Sequence, residues 1–337
     1  MKFELSKVAA TATAAAVALT LAACSSASSG ATIEPTAAPT IDYPTGTVTM
    51  IVPYAAGGVT DLAARVIAEG LTEELGQTFL VENKPGASGI TGTAEVALAD
   101  ADGYTVEFSA DAVWGSALYR SQVPYTIDSF DPITGVFLQP YVLVTSKDSP
   151  YTSFDDLEGA AGSATYAVSS IGGQTHTNAV LLFEQLGIEA TAVPFDGAAP
   201  AVQAIVGGQT DFFFGDLAQV MPFIESGDLN ALAVLNVDGE PVADLPDVPT
   251  LESVDIDTSE MTFPIWGFTV PAGTDPQIVT VLNDAMRKVI EGKAFTEFAA
   301  KNFYPVLEGD AAADWWELVN SNGETTKKVL ADLGITL

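Results

Sequence analysis

The chain has 337 residues, 12 of them basic and 44 acidic, for a formal net charge of −32. Nucleic acid and anionic lipid headgroups are poor partners for such a surface, and solubility in a salty setting is its plainest explanation. Hydrophobic residues make up 48% of the chain and there is one cysteine, so a core rather than internal disulfides must hold any domain together.

The first 24 residues read as an export signal. Lys2 and Lys7 precede an apolar, Ala-rich run over 8–23 that ends in Leu21-Ala22-Ala23-Cys24. A run of about 16 residues fits a signal h-region, whereas a membrane span needs roughly 20. The context resembles a bacterial lipobox, which makes Cys24 the lipidated first residue of the mature chain, and stable anchoring takes two or more acyl chains. An ordinary cleaved signal with an incidental cysteine is the alternative. Against it, Cys24 is the only cysteine and stands where lipidation needs it. Removing residues 1–23 takes away Lys2, Lys7 and Glu4, so the charge moves from −32 to −33. A Ser/Ala/Thr/Pro-rich tether follows over 24–45. No later apolar stretch is long enough to span a bilayer, so the mature protein is expected to be soluble apart from its anchor.

Strand-like and helix-like patterns then alternate, which predicts an α/β fold with mostly parallel sheets. Residues 47–52 read as a buried strand, followed by a Gly-rich turn and a helix over 60–75. Leu62, Ala63, Val66, Ile67, Ala68, Leu71 and Leu75 form its apolar face, and Gly76 stops it. A strand over 79–83, a helix over 88–99 and a strand over 104–108 come next. Residues 141–145 are expected to cross into a second lobe. That lobe has strands over 164–168, 191–195, 211–214 and 232–235, with helices over 175–186 and 198–206. A return strand over 265–270 and helices over 276–290, 294–302 and 311–333 complete the chain. Lobe 1 is thus 46–141 with 266–337 and lobe 2 is 142–265, which leaves a ligand cleft between them.

Two loops carry the chemistry. Pro53-Tyr54-Ala55-Ala56-Gly57-Gly58-Val59-Thr60-Asp61 joins the first strand to the first helix. Its glycines allow close backbone approach, Thr60 or Asp61 is placed to cap the helix, and free N–H groups at a helix start suit an anion. Ser169-Ser170-Ile171-Gly172-Gly173-Gln174-Thr175-His176 repeats the construction in the other lobe. Such turns are common singly, and the pair carries the argument. Asp196-Gly197 and Asp216 end strands of lobe 2 and are expected at the cleft. A helix cap for Asp196 and a turn for Asp216 are the structural alternatives. Trp315 and Trp316 read as helix packing.

Other chemistries lack their motifs. There is no G-x-x-x-x-G-K-[ST], no G-x-G-x-x-G in the first turn and no G-x-S-x-G. Asp100-Ala101-Asp102-Gly103 lacks the remaining ligands of a calcium loop. His176 is the only histidine, so neither a transition-metal site nor any cofactor is expected, and a hydrogen bond to a loop or ligand is its expected role.

These motifs together resemble the solute receptors of tripartite tricarboxylate transporters, also called Bug-type extracytoplasmic binding proteins. The resemblance runs from about Thr47 to the C-terminal helices. It rests on Val52-Pro53-Tyr54-Ala55-Ala56-Gly57-Gly58 with Thr60-Asp61, Val81-Glu82-Asn83-Lys84-Pro85-Gly86-Ala87 and Asp102-Gly103-Tyr104-Thr105. Gly172-Gly173 with His176, Pro194-Phe195-Asp196-Gly197-Ala198-Ala199-Pro200-Ala201, Gly207-Gly208-Gln209-Thr210-Asp211, Leu245-Pro246-Asp247-Val248-Pro249-Thr250 and Trp266-Gly267-Phe268 follow in order. The resemblance implies a two-lobed, periplasmic-binding-protein-like fold of type II that closes by hinge motion on a small organic acid and delivers it to membrane components of a transporter. It also implies that backbone donors and hydroxyls hold the ligand carboxylate, at Tyr54, Ala55, Gly57, Gly58, Thr60 and Asp61 and at Ser169, Ser170, Gly172, Gly173, Thr175 and His176. Asp196, Gly197 and Asp216 fall where the far end of the ligand is read. Val59 departs from the glycine or serine common in the family and narrows the pocket. Asp196 replaces a Tyr or small residue, which argues against a second ligand carboxylate there.

Backbone N–H groups can hold a carboxylate without lysine, but a global charge of −33 steers polyanions away at low salt. A monocarboxylate, a zwitterion or a neutral aromatic acid derivative is therefore favoured over citrate, bound to a monomeric, non-enzymatic protein. The rival readings are a sensor signalling to a membrane kinase and a hydrolase with His176 as base.

Overall fold

The computed structural model describes residues 41–157, 164–236 and 239–335, without the Arg120 side chain. The signal segment, Cys24 and the tether as far as residue 40 lie outside the described residues. Ile41 and Tyr43 pack on the first lobe, and the Tyr43 hydroxyl donates to the Gly103 carbonyl at 2.5 Å. The expected tether therefore overlaps the domain at its end.

The first half of lobe 1 holds β1 (Val48–Val52), α1 (Val59–Leu75), β2 (Phe79–Asn83), α2 (Ile90–Ala97), β3 (Thr105–Ala110), α3 (Asp111–Trp114), α4 (Ala117–Arg120) and β4 (Phe130–Leu138). Lobe 2 holds β5 (Tyr141–Ser146), β6 (Ala164–Val168), α5 (Gln174–Leu186), β7 (Ala190–Pro194), α6 (Ala198–Val206), β8 (Phe212–Asp216), α7 (Leu217–Glu225) and β9 (Leu229–Leu235). The chain returns through β10 (Ile265–Pro271), then α8 (Pro276–Ile290), α9 (Lys293–Lys301), α10 (Gly309–Ala313) and α11 (Trp315–Asp332).

The two sheets have orders β2-β1-β3-β10-β4 and β7-β6-β8-β5-β9. In each, the fourth strand runs against its neighbours while the other strands share one direction. That reversed strand is the first one reached after a crossing, so each lobe is completed by chain arriving from the other. The sheets are mixed in consequence, a refinement of the mostly parallel expectation. Tyr141 begins the first-reached strand of the second sheet, and Ile265 begins the return strand of the first. The crossings touch where the Gln139 N–H donates to the Pro264 carbonyl at 3.0 Å.

Sheets covered on both faces need apolar residues at successive positions, which explains the unbroken strands. In lobe 1, Met50 and Phe108 face α1 and α8, while Ile51 packs with Trp114 and Trp315 on the other side. In lobe 2, Leu143, Phe212 and Phe214 pack on α5, while Val142, Val144 and Phe213 pack on α6 and α7. Leu62 departs from the predicted apolar face and is 46% exposed.

Four elements escape pattern reading: the short helices α3 and α4, and β4 and α7. β4 carries Pro132 and Gly135, which read as turn signals, but it is an edge strand and tolerates the proline. Gly135 and Gly267 lie under Trp315, whose side chain a Cβ would meet at 2.7 and 2.5 Å. α7 encloses Pro222, which masks a helix whose burial pattern is otherwise clear. The expected last helix is divided at Asp314 into α10 and α11.

Candidate functional site

The two glycine loops share the sequence G-G-x-T and one backbone path. Gly57 and Gly172 take φ +87° and +73°, a left-handed conformation that favours glycine. Gly58 (φ −76°, ψ 167°) and Gly173 (φ −76°, ψ 169°) are the N-caps of α1 and α5, and neither helix has a side-chain cap. The expected capping by Thr60 or Asp61 is thus not found, because a glycine already occupies the cap position.

Each loop is closed by the side chain four residues on. The Gly57 N–H donates to Asp61 Oδ2 at 2.8 Å, and the Gly172 N–H donates to His176 Nδ1 at 2.9 Å. Both amides are engaged within their own loops. The first amides of a helix generally lack intrahelical acceptors, although in α5 the His176 N–H donates to the Gly173 carbonyl at 2.9 Å.

Asp61 is 2% exposed and pairs with Arg65 at 2.8 Å. Burial works against its charge, but hydrogen bonds from Arg65 and Gly57 outweigh it and hold the carboxyl below the ordinary range. Arg65 also reaches Asn83 Oδ1, and Asn83 Nδ2 donates to the Tyr54 carbonyl at 3.1 Å. Asp61 thus braces the loop. His176 is 4% exposed, and burial lowers its pKa, keeping the ring neutral with Nδ1 as acceptor.

The remaining predicted residues take distinct places. Ala55, Gly57 and Gly58 are exposed, while Tyr54 and Thr60 are half-buried. The Tyr54 hydroxyl lies 3.4 Å from Ser109 Oγ, and burial pushes it up to about 12. Thr60 Oγ1 accepts from the Trp266 indole N–H at 3.2 Å, tying the loop to the return strand. Thr175 Oγ1 accepts from the Ser169 N–H at 3.3 Å and lies 3.1 Å from Ser169 Oγ, and Ser170 is half-buried beside it. The Gly197 N–H donates to the Ser169 carbonyl at 3.2 Å, which brings the β7–α6 loop against the second glycine loop. Asp196 is exposed there and Gly197, not Asp196, is the N-cap of α6. Asp216 is buried, and it caps α7 by accepting from the Ala218 N–H at 3.0 Å. Burial raises its pKa to about 7, against the Ala218 hydrogen bond.

Two buried acids were not singled out by pattern. Asp111, fully buried at the end of β3, accepts from Gln174 Nε2 at 2.9 Å, Asn322 Nδ2 at 2.8 Å and the Ile265 N–H at 3.2 Å. Glu107, in β3 beneath it, accepts from Thr93, Trp114 and Thr269. The one available signal is that an acid inside an apolar strand is costly and so needs partners. A groove of about 1150 Å³ lies between α5, β7 and the end of α11, lined by His176, Phe183, Thr191 and Val329 among others. It lacks the helix starts that suit an anion, so the candidate site is placed at the loops. Among the described residues no cluster of His, Cys, Asp or Glu is arranged to hold a metal ion, and no helix is long and apolar enough to cross a membrane.

The family model described as tripartite tricarboxylate transporter family receptor matches residues 63–335. The chain belongs to this receptor family. Protein BugT of Bordetella pertussis is 34% identical over 274 residues, 79% of this chain and 83% of BugT. A TctC solute binding protein from Polaromonas, solved with no ligand, is similar at a TM-score of 0.73 and 28% identity, over 86% of this chain and 99% of that one. R. palustris Rpa4515 with adipate reaches a TM-score of 0.73 at 28% identity, over 88% and 99%. The receptor family, the two-lobed α/β fold and the solute-binding class expected from sequence are those found.

Proposed function

We propose that this receptor captures a small carboxylate-type solute outside the cytoplasmic membrane and delivers it to the membrane components of a tripartite transporter. The supporting observation is the pair of G-G-x-T loops, one in each lobe, each opening a helix of 17 or 13 residues. Their first-turn amides and hydroxyls offer charge-assisted hydrogen bonds to one carboxylate, with no lysine required. Gly58, Thr60, Ser169, Ser170, Gly173 and Thr175 are the contact set, with Tyr54 and Ala55 at the mouth. Asp196 and Gly197 border the far end, where an exposed acid disfavours a second carboxylate. Monocarboxylates and zwitterions therefore bind ahead of citrate, although Rpa4515 carries the dicarboxylate adipate. Cys24 is the lipid-bearing residue of the mature, monomeric protein.

The test is a thermal-stability screen of residues 25–337 against citrate, succinate, adipate, glutamate, nicotinate and aromatic acids, with calorimetry on each hit. An acid at a hundred times its Kd adds about 2.7 kcal/mol of stability. A hit lost in Ser170→Ala supports the reading. Citrate binding tighter than every monocarboxylate overturns the charge argument, and silence across the panel overturns the carboxylate class.

A further inference from the structure

The two sheet orders superimpose β1, β2, β3, β10 and β4 on β6, β7, β8, β5 and β9. On that mapping Asp111, the residue after β3, corresponds to Asp216, the last residue of β8. Both open a helix, both are acids, and they are 0% and 6% exposed. Pattern reading treats them as unrelated.

The two acids differ in their donors. Asp111 stands in lobe 1 and accepts from Gln174, in the first turn of α5 in lobe 2. The Ile265 N–H, where the chain re-enters lobe 1, and Asn322 of α11 also donate to it. Asp216 stands in lobe 2 and accepts from the Ala218 N–H of its own helix at 3.0 Å. The donors to Asp111 are neutral amides and a backbone N–H. A buried carboxylate that loses such donors without regaining water is strongly destabilised. The Asp111–Gln174 bond is therefore made in only one arrangement of the lobes.

We propose that the Asp111–Gln174 hydrogen bond is an interlobe clasp and that Asp111 is a positioning residue for the solute site. Gln174 directly follows the cap residue Gly173, so the Asp111–Gln174 bond sets the lobe 2 loop against lobe 1. This rests on the reading that solute is held between the two loops. Asp111 itself need not touch the solute.

The experiment needs no solute. Cys24 is the only cysteine, so residues 25–337, which carry both sheets and all four hydrophobic clusters, accept spin labels at Glu73→Cys in α1 and Glu225→Cys in α7 without further change. Double electron–electron resonance then reads the interlobe distance. The parent should give one narrow distribution, and Gln174→Ala and Asp111→Asn should each broaden it toward longer distances. Amide exchange over Gly172–Thr175 should rise about tenfold in both. Gln174 is half-buried, so its truncation leaves the cores intact and tests the clasp even where Asp111→Asn misfolds. A Gln174→Ala distribution identical to the parent, with unchanged exchange, overturns the proposal and leaves Asp111 a purely structural acid. Because both readouts are taken without solute, silence of the acid panel would sink the functional reading while leaving this result standing.

Discussion

Asp61 closes the loop that precedes it: its Oδ2 accepts the Gly57 N–H at 2.8 Å while Arg65 pairs with the same carboxylate. The bond fixes the path of residues 57–61 and hence the direction in which the first amides of α1 point. Asp61→Ala removes the acceptor and leaves the Gly57 amide without its partner. Denaturation by urea should show a loss of about 1–3 kcal/mol, and affinity for any acid found in the panel should fall with it.

His176 performs the same closure in lobe 2 with a neutral ring. It is the only histidine, so its imidazole signals in an NMR spectrum are unambiguous. Its titration midpoint should lie below the ordinary 6.5, with the proton of the neutral ring on Nε2. A depressed histidine favours the fold above the unfolded value, and that contribution is lost as the pH falls through the folded one. A midpoint at or above 6.5 would contradict the buried, accepting ring.

Glu107 has the opposite pH signature. Burial raises its pKa from 4.5 to about 7, so between those values the folded chain binds the extra proton. Its contribution to stability is full below about pH 4.5 and is lost as the pH rises to about 7. Glu107→Gln keeps the shape and most of the hydrogen bonds, so it should flatten the fall in stability across that window. Equal slopes in parent and variant would show that the acid is not held neutral.

Gly58→Ala separates folding from binding. Gly58 has an ordinary φ of −76°, and an added Cβ meets only the Ala55 carbonyl at 3.6 Å. Stability should stay within about 0.5 kcal/mol of the parent. The methyl group stands at the mouth of α1, and calorimetry should record about a tenfold weaker acid.

Gly267→Ala tests the packing of the return strand. Its Cβ would come within 2.5 Å of the Trp315 ring, which is 1% exposed and has no room to move away. A loss of about 1–3 kcal/mol in urea denaturation is expected, against little change for a swap on the exposed face of α9.

Local sequence carried most of the element list, because periodicity and helix stops act within a few residues. Gly76 and Gly187 end α1 and α5 in left-handed conformation, as their positions after apolar runs imply. The two glycine loops were legible for the same reason, since a close-approach turn before a helix is written in consecutive residues. β4 and α7 were hidden by Pro132 and Pro222, whose tolerance depends on an edge position and on surrounding packing. Local patterns thus gave every strand but β4, the longer helices but α7, and the glycine loops that begin α1 and α5. Only the tertiary structure decided what Asp111 and Asp216 do. Asp111 meets Gln174 from 63 residues away and Asn322 from 211 residues away, and no local pattern specifies which distant donors will surround a buried charge. That choice belongs to the packing of the two lobes, because a carboxylate can stay buried only where the folded chain brings its hydrogen-bond partners to it.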